Sequence, residues 1–368
     1  MTVGAYHRGM AIQIPLLGGS PGPQDDHETF AIDGARIECA DALDCYSGWP
    51  RPTVILVDGP YGVSGFPGDP PTVGELPAWY APHIAKWSEM ALPETTLWFW
   101  GTEVGWATVH TLLETHGWEY RSAHIWDKGK GHIAGNVNGQ TLRRFPVVTE
   151  VCVQYTRRVE LDTIDAVGRP TKLPMKAWVR HEWLRSGLPF ALTNNAAGVK
   201  NAATRKWFTA DHLWYYPPSR FLERVAAYAN EHGRPTIRPY FSLDGRTPLT
   251  AADWAKLRAK FNYVHGITNV WSEPPMRGDE RFKNGFKSVH LNQKPLKLIQ
   301  RTILASSDEG DVVWDPFAGL ATTAVACVRT NRRCFSAEIV PSYFQLATAR
   351  LEAEASGRAE TERGEAAS

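Results

Sequence analysis

The chain has 368 residues, a formal net charge of +1 and 43% hydrophobic content, the profile of a globular protein with room for one large core or two smaller ones. No apolar run reaches the roughly 18 residues of a membrane span, and MTVGAYHRGMAIQIPLLGG lacks a signal peptide's charged start and unbroken apolar core, so a cytoplasmic protein is expected. Five cysteines without a CxxC pair argue for reduced thiols and against structural zinc, while near-neutral charge leaves a nucleic-acid partner open if basic residues gather on one face.

Residues 31 to 61 read as strand, turn, short helix and strand: AIDGARIECADAL, DCYSGWPRP, then TVILVDGPY. Val54 to Val57 is short, apolar, rich in β-branched residues and followed by Gly and Pro, the pattern of a core strand in a parallel sheet. It delivers Asp58 to the strand's carboxyl end, where open α/β sheets place their ligands. The alternative is that Asp58-Gly59-Pro60-Tyr61 is only a turn, with Asp58 accepting backbone N–H groups. Ala78 to Met90 reads as a helix and TTLWFWG, Thr95 to Gly101, as the next buried strand. Helix and strand then alternate through WATVHTLLETHG, YRSAHIWDK and FPVVTEVCVQYT, as a doubly wound sheet requires.

From about Val159 to about Gly285, Pro and Gly punctuate short basic and aromatic segments. That stretch is too long for a loop and reads as an inserted domain. Alternation resumes at HLNQKPLKLIQRTILASS and runs on through DVVWDPFAGLATTAVACVRTN, RRCFSAEI and PSYFQLATARLEAEA, before a frayed tail, GRAETERGEAAS.

DVVWDPFAGLATTAVAC combines a short strand, a loop of small residues around Gly319 and a helix opened by Thr322 and Thr323. Small residues let backbone approach a ligand, and the helix start offers free N–H groups. Glu338 follows Asp315 by 23 residues, at the end of the next strand, where nucleotide-binding α/β domains place an acid on ribose hydroxyls. Ala318, Gly319 and Ala321 fill the positions of a GxGxxG turn, so a nucleoside lacking phosphates, such as S-adenosylmethionine, fits better than a dinucleotide. The same turn also occurs in α/β cores that hold no cofactor.

In their order, DGPYG, LNQKPL, DPFAGLATT and AEIVPSYFQLATARL resemble the motifs of the DNA amino-methyltransferases, which move a methyl group from S-adenosylmethionine to an exocyclic base nitrogen. The resemblance covers roughly residues 36 to 158 and 288 to 352, and a DPPY-type motif preceding a DPFxGxGTT-type motif is the family's β-class arrangement. It implies a doubly wound, Rossmann-like α/β methyltransferase sheet with a catalytic half over 1–158 and a cofactor-binding half over 288–355. Between them lies an inserted, mainly helical target-recognition domain over 159–287, and a disordered tail follows over 356–368.

Carried over by position, Asp58 and the Gly59 carbonyl would accept hydrogen bonds from the target amine, and Tyr61, held by Pro60, would stack on the flipped base. Asp41 falls near the cofactor's adenine; Asp315, Phe317 and Gly319 match the loop on its methionine part, and Thr322 opens the helix behind that loop. Glu338 matches the ribose ligand, and Lys294 and Pro295 the Lys-Pro segment that helps form the cofactor site. Gly59 stands where the family has Pro, and Ala321 where it has a third glycine. Asp at the head of the motif leans toward adenine N6, with cytosine N4 the alternative. A DNA-binding protein that has lost catalysis is a reading of another class, which the retained Asp58, Tyr61 and Glu338 disfavour. The implied partners are double-stranded DNA, a cognate restriction or defence component, and a second copy in a homodimer.

Met175 to Phe208 resembles a helix-turn-helix with Gly198 at the turn and Val199 to Phe208 as the second helix, carrying Lys200, Asn201, Arg205 and Lys206 toward DNA. An ordinary helical pair with a solvated basic face fits equally. Twelve histidines form no HxxxH pair, so no metal is expected, and most of the fifteen tryptophans are expected in cores or interfaces.

Overall fold

The structure, a computed structural model, describes residues 27–65, 68–129, 143–200, 203–276 and 293–366, with the backbone alone for 283–284, 287–288 and 358–366. The strands in chain order are β1 (Thr29–Ile32), β2 (Ala35–Glu38), β3 (Val54–Val57), β4 (Thr96–Gly101), β5 (Trp118–Asp127), β6 (Thr149–Arg157), β7 (Glu160–Ile164), β8 (Pro170–Pro174), β9 (Val270–Ser272), β10 (Lys283–Asn284), β11 (Lys287–Ser288), β12 (Val312–Asp315) and β13 (Arg333–Ala337). The helices are α1 (Ala42–Cys45), α2 (Leu76–Met90), α3 (Glu103–Thr115), α4 (Met175–Ser186), α5 (Phe190–Ala197), α6 (Thr204–Phe208), α7 (Ser219–His232), α8 (Ala251–Ala255), α9 (Leu296–Ser306), α10 (Thr322–Arg329) and α11 (Pro341–Ala366). The chain divides into two compact units, one of the described residues up to Thr156 and from Lys260 onward, the other Arg157–Ala259.

The first unit is built on a nine-stranded sheet in the order β1-β2-β13-β12-β3-β4-β6-β5-β9. β2, β13, β12, β3 and β4 pair in parallel, with antiparallel β1 beside β2 and antiparallel β6 beside β4. Strands buried on both faces must be apolar at every position, and their period of two divides those residues between two cores. Val54, Leu56, Val313, Trp98, Trp100 and Cys152 enter one core with residues of α9, α10 and α11. Ile55, Val57, Trp314, Leu97, Phe99, Val153 and Tyr155 enter the other with residues of α1, α2 and α3. This is the doubly wound α/β architecture.

The crossover after β3 runs through α2 to β4, and the crossover after β12 runs through α10 to β13 on the opposite side. The sheet therefore changes direction between β3 and β12, where Val54 pairs with Val313 and Ile55 with Trp314. A cleft opens at the carboxyl ends of strands at such a switch point. Asp58, just past β3, and Asp315, the last residue of β12, are delivered to it.

The second unit holds the β7–β8 hairpin and α4 to α8 around Trp178, Trp183, Trp207, Phe208, Phe241 and Trp254. Its core depends on Glu182, which is 1% exposed and accepts hydrogen bonds from Thr163, from Arg185 Nη2 at 2.7 Å and from the Phe241 N–H at 2.7 Å. The unit closes at Ala259, well before the boundary at 287 read from the sequence. Lys260 pairs with Asp308 and Asp311 at 2.8 Å, and β9 joins the main sheet beside β5, so these residues return to the first unit.

Two local expectations also change. α5 ends at Gly198 in the left-handed region (φ 69°), and the second helix begins only at Thr204, whose N–H and hydroxyl both bond Asn194 Oδ1. Asn194, a residue unusual for a helix-turn-helix core, thus sets where α6 starts. α11 continues to Ala366 through the segment expected to fray, in keeping with its many Ala, Glu and Arg residues. Among the described residues no helix is long and apolar enough to cross a membrane.

Glu182→Ala would strand the largely buried Arg185 guanidinium and the Phe241 N–H. A loss of about 3–5 kcal/mol is expected, as for other broken buried pairs. Urea unfolding should show it, with hydrogen exchange accelerated in α4 and around Phe241; a loss under about 1 kcal/mol would contradict the role given to this carboxylate.

Candidate active site

At the carboxyl end of β3, Asp58 Oδ1 lies 2.7 Å from Lys294 Nζ and accepts the Tyr61 hydroxyl at 3.2 Å. Among the described residues no donor reaches Oδ2, and the side chain is 24% exposed. One oxygen of the carboxylate is therefore tied and the other is open. Lys294, 1% exposed, precedes α9 and also contacts Glu150 Oε2 at 3.3 Å. The single Tyr61 hydroxyl proton is shared between Asp58 and Glu150 Oε2, 3.1 Å from Oη, and Glu150 Oε1 accepts from Lys128 Nζ at 2.5 Å. The rings of Tyr61 and Trp100 lie 5.0 and 5.6 Å from the Lys294 ammonium.

Two acids and two ammonium groups thus alternate through a dry site, and their ionisation follows. Burial pulls the Lys294 pKa down, but Asp58 and Glu150 outweigh it and hold the ammonium above the usual lysine value. Burial pushes Glu150 up, and Lys294 with Lys128 brings it below the usual carboxylate range. Tyr61 is raised well above a free phenol by burial and then by Glu150 and Asp58, so it stays protonated and donates.

The loop after Asp58 explains its own sequence. A Cβ added at Gly59 would stand 2.4 Å from the Phe317 ring and 2.7 Å from the Tyr80 hydroxyl, so no larger residue fits without movement. Tyr80 donates to the Pro60 carbonyl at 3.0 Å, and Asp69 Oδ2 accepts the Tyr61 N–H at 2.9 Å. In this chain Phe317 and Tyr80 fill the space beside the position where the family has proline.

On the β12 side, Asp315 is 2% exposed, and burial, opposed by Thr323 and aggravated by Asp58, raises it to about 7. Glu338 is also raised to about 7 by burial, although Gly319 N–H donates to Oε2 and Val340 N–H to Oε1, each at 2.8 Å. Ala321, where the family has a third glycine, adopts the left-handed conformation (φ 57°). Thr322 accepts Arg350 at 3.0 Å and braces the loop, while Pro295 caps α9. Asp41 caps α1 through the Leu43 N–H at 2.9 Å and lies close enough to His83 to oppose the burial that lowers it to about 4. The Phe317 ring packs against His83, Trp79 and Tyr80. Two buried groups beside Lys294 lack partners among the described residues: both amide atoms of Gln293, and Trp100 Nε1.

The sequence reading missed Glu150, Lys128, Asp69, Tyr80 and Gln293. An acid in FPVVTEVCVQYT, at even spacing from Cys152 and Gln154, was the available signal: it places Glu150 on the same sheet face as those residues, at a strand end. In the second unit, Lys200, Arg205 and Lys206 are exposed, Arg205 lies over the Phe190 ring at 5.5 Å, and Asn201 lies outside the described residues.

The doubly wound sheet brings acids from two strand ends to its switch point, where such sheets hold their ligands. The chain belongs to the DNA methylase family, whose sequence profile matches residues 53–349. It is similar to the type II methyltransferase M.HpaI of Haemophilus parainfluenzae, 34% identical over 106 residues covering 28% of this chain and 34% of the relative. It is also similar to the DNA adenine methyltransferase YhdJ of Escherichia coli (strain K12), 38% identical over 93 residues, 25% of this chain and 30% of the relative. A third similar protein is the type II methyltransferase M2.DpnII of Streptococcus pneumoniae, 46% identical over 98 residues, 27% of this chain and 35% of the relative. These matches span about a third of each relative's length. Among solved structures, the M1.HpyAVI–SAM complex is 16% identical with a TM-score of 0.44, over 86% of this chain and 99% of that one. PvuII DNA methyltransferase (cytosine-N4-specific) is 11% identical with a TM-score of 0.46, over 86% of each chain.

The raised pKa values carry a pH dependence of stability. The native state holds protons on Asp315 and Glu338 up to about 7, whereas an unfolded chain releases them near 4. The native state binds more protons in that window, so stability falls as pH rises from about 4 to about 7 and the cost is complete above it. Relative to the unsubstituted protein, Glu338→Gln should therefore melt higher at pH 8 than at pH 5; an offset independent of pH would show that Glu338 is ionised throughout.

Proposed function

We propose that the chain is an S-adenosylmethionine-dependent DNA methyltransferase acting on the exocyclic amine of a flipped base, adenine N6. The carrying observation is the Asp58 carboxylate, with Oδ1 tied by Lys294 and Tyr61 and Oδ2 open at the switch point. Asp at the head of the motif supports adenine, as does the name of one similar protein, a DNA adenine methyltransferase.

The residues fit the cofactor. Glu338, held by two backbone N–H groups, keeps lone pairs for ribose hydroxyls, and Asp315 and the Phe317–Gly319 loop would hold the methionine end. The orphaned Gln293 amide and Trp100 N–H are buried polar groups whose desolvation a bound ligand would offset. When bound, the cofactor supplies a methyl group on a sulfonium, which needs no acid to assist its departure.

The protein's task is then to orient a weak nucleophile. Conjugation delocalises an exocyclic amine's lone pair; Asp58 Oδ2 and the Gly59 carbonyl would hold its two hydrogens and favour a more pyramidal nitrogen. Such orientation, with negative charge beside a nitrogen that becomes positive, supplies most of the catalysis. Stacking of Tyr61 on the base would use the ring face opposite Lys294.

DNA contact is assigned to the second unit. Arg205 over Phe190, and Arg220 and Arg224 over Phe221 at 4.8 and 6.0 Å, are exposed and form no ion pair among the described residues. Arg224 Nη1 lies 3.1 Å from the position of an added Gly198 Cβ, which sets it beside the α5–α6 turn that carries Lys200. Guanidinium groups held on rings and left without acids are suited to phosphate. The reading extends to a cytoplasmic location and to a cognate restriction or defence component.

Asp58→Ala should retain S-adenosylmethionine and DNA binding while methyl transfer falls by about two or more orders of magnitude; calorimetry and transfer of labelled methyl to unmethylated DNA measure the two separately, and near-normal turnover would refute the assignment. Arg220→Ala and Arg224→Ala should weaken binding to all duplexes alike, each reducing the slope of log affinity against log salt by roughly one. Fluorescence anisotropy from low to moderate salt reads this directly, and unchanged slopes would move the interface elsewhere.

A further inference from the structure

Lys294 poses a problem for the proposed reaction. Its ammonium, 2.7 Å from Asp58 Oδ1, cancels the negative charge that should stabilise a nitrogen becoming positive beside Oδ2. A buried cation at that position would slow methyl transfer unless something offsets it. Glu150 is the group that does. It is 8% exposed, touches Lys294 at 3.3 Å and takes the Tyr61 hydroxyl at 3.1 Å, while Tyr61 also reaches Asp58 at 3.2 Å. Among the described residues, the acids and ammonium in contact with Lys294 and Asp58 sum to minus one, and the second ammonium, Lys128, meets Glu150 rather than Asp58. Lys128 lies on the far side of Glu150, against its other oxygen.

We propose that Glu150 is a positioning residue for methyl transfer, restoring at Asp58 the negative field that Lys294 would otherwise cancel and fixing through Tyr61 which Asp58 oxygen stays open. The proposal rests on the methyltransferase reading above. In the step it serves, the amine lone pair forms the new N–C bond while the C–S bond of the methylsulfonium breaks and its electron pair stays on sulfur. The nitrogen carries the positive charge until it releases one proton, which Asp58 Oδ2 accepts. Glu150 touches neither the base nor the cofactor in this scheme; it acts through Lys294 and Tyr61.

The test is single-turnover methyl transfer from labelled S-adenosylmethionine to genomic DNA from a host without methyltransferases, beside separate binding measurements for cofactor and DNA. Glu150→Gln should be slower by about 100-fold, the scale of losing one preorganised electrostatic contact, with both affinities nearly unchanged. Adding Lys294→Met to Glu150→Gln should recover about tenfold of that loss, because the cation that Glu150 had offset is gone, whereas a purely structural role predicts no recovery. A normal rate in Glu150→Gln, or a double variant no faster than the single one, overturns the proposal. If Glu150→Gln does not fold, Glu150→Asp, which keeps the charge on a shorter side chain, should stay within about tenfold of the unsubstituted rate, and a loss of about 100-fold there overturns the proposal. An unsubstituted protein that transfers methyl to no DNA removes the methyltransferase reading and this inference with it; a normal Glu150→Gln removes the inference alone.

Discussion

Burial of the Lys294 ammonium beside Asp58 is the constraint on which the site depends. A lysine this far from water requires paired charge, and Asp58 with Glu150 provides it. Once that pairing is made, the rest of the arrangement follows. Asp58 is locked by one oxygen, Tyr61 stays a neutral donor between two acids, and Glu150 needs Lys128 as its own outer counter-ion. The groups come from the end of β3, the start of β6, the residue after β5 and the segment before α9, so the pairing also pins four parts of the first unit together.

A second constraint is steric and joins the two motifs. Phe317 belongs to the loop after β12, yet its ring occupies the space a Gly59 side chain would need after β3. Tyr80, from α2, holds the Pro60 carbonyl from the same side. Gly59 thus fits the packed turn of this chain and keeps its backbone carbonyl. Ala321, where the family has glycine, holds a left-handed backbone at the conformational cost an L-residue carries there, and its methyl is buried in the core.

The second unit follows a different logic. Its core is stacked tryptophan and phenylalanine organised around one buried acid, Glu182, and its exposed arginines rest on the edges of that aromatic core. Rings that stabilise the interior therefore also hold guanidinium groups in place, which lowers the entropy lost when they meet phosphate.

The sequence by itself marked most strands and helices of the first unit, because runs such as VILV and TLWFWG leave little choice but a doubly buried strand, and the ordered DGPYG, DPFAGLATT and AEIVPSYF motifs marked Asp58, Asp315 and Glu338. It also marked an insertion of basic and aromatic character, but placed its end too late and made its second helix too long. The return of Lys260 to Asp308 and Asp311, and the capture of Thr204 by Asn194, are contacts that spacing does not reveal. Only tertiary structure decided that Lys294 belongs with Asp58, and that Glu150 and Lys128 complete the set. Charges distant along the chain pair because burial makes every unmatched one expensive, and which ones meet is set by the order of strands, not by the residues beside them.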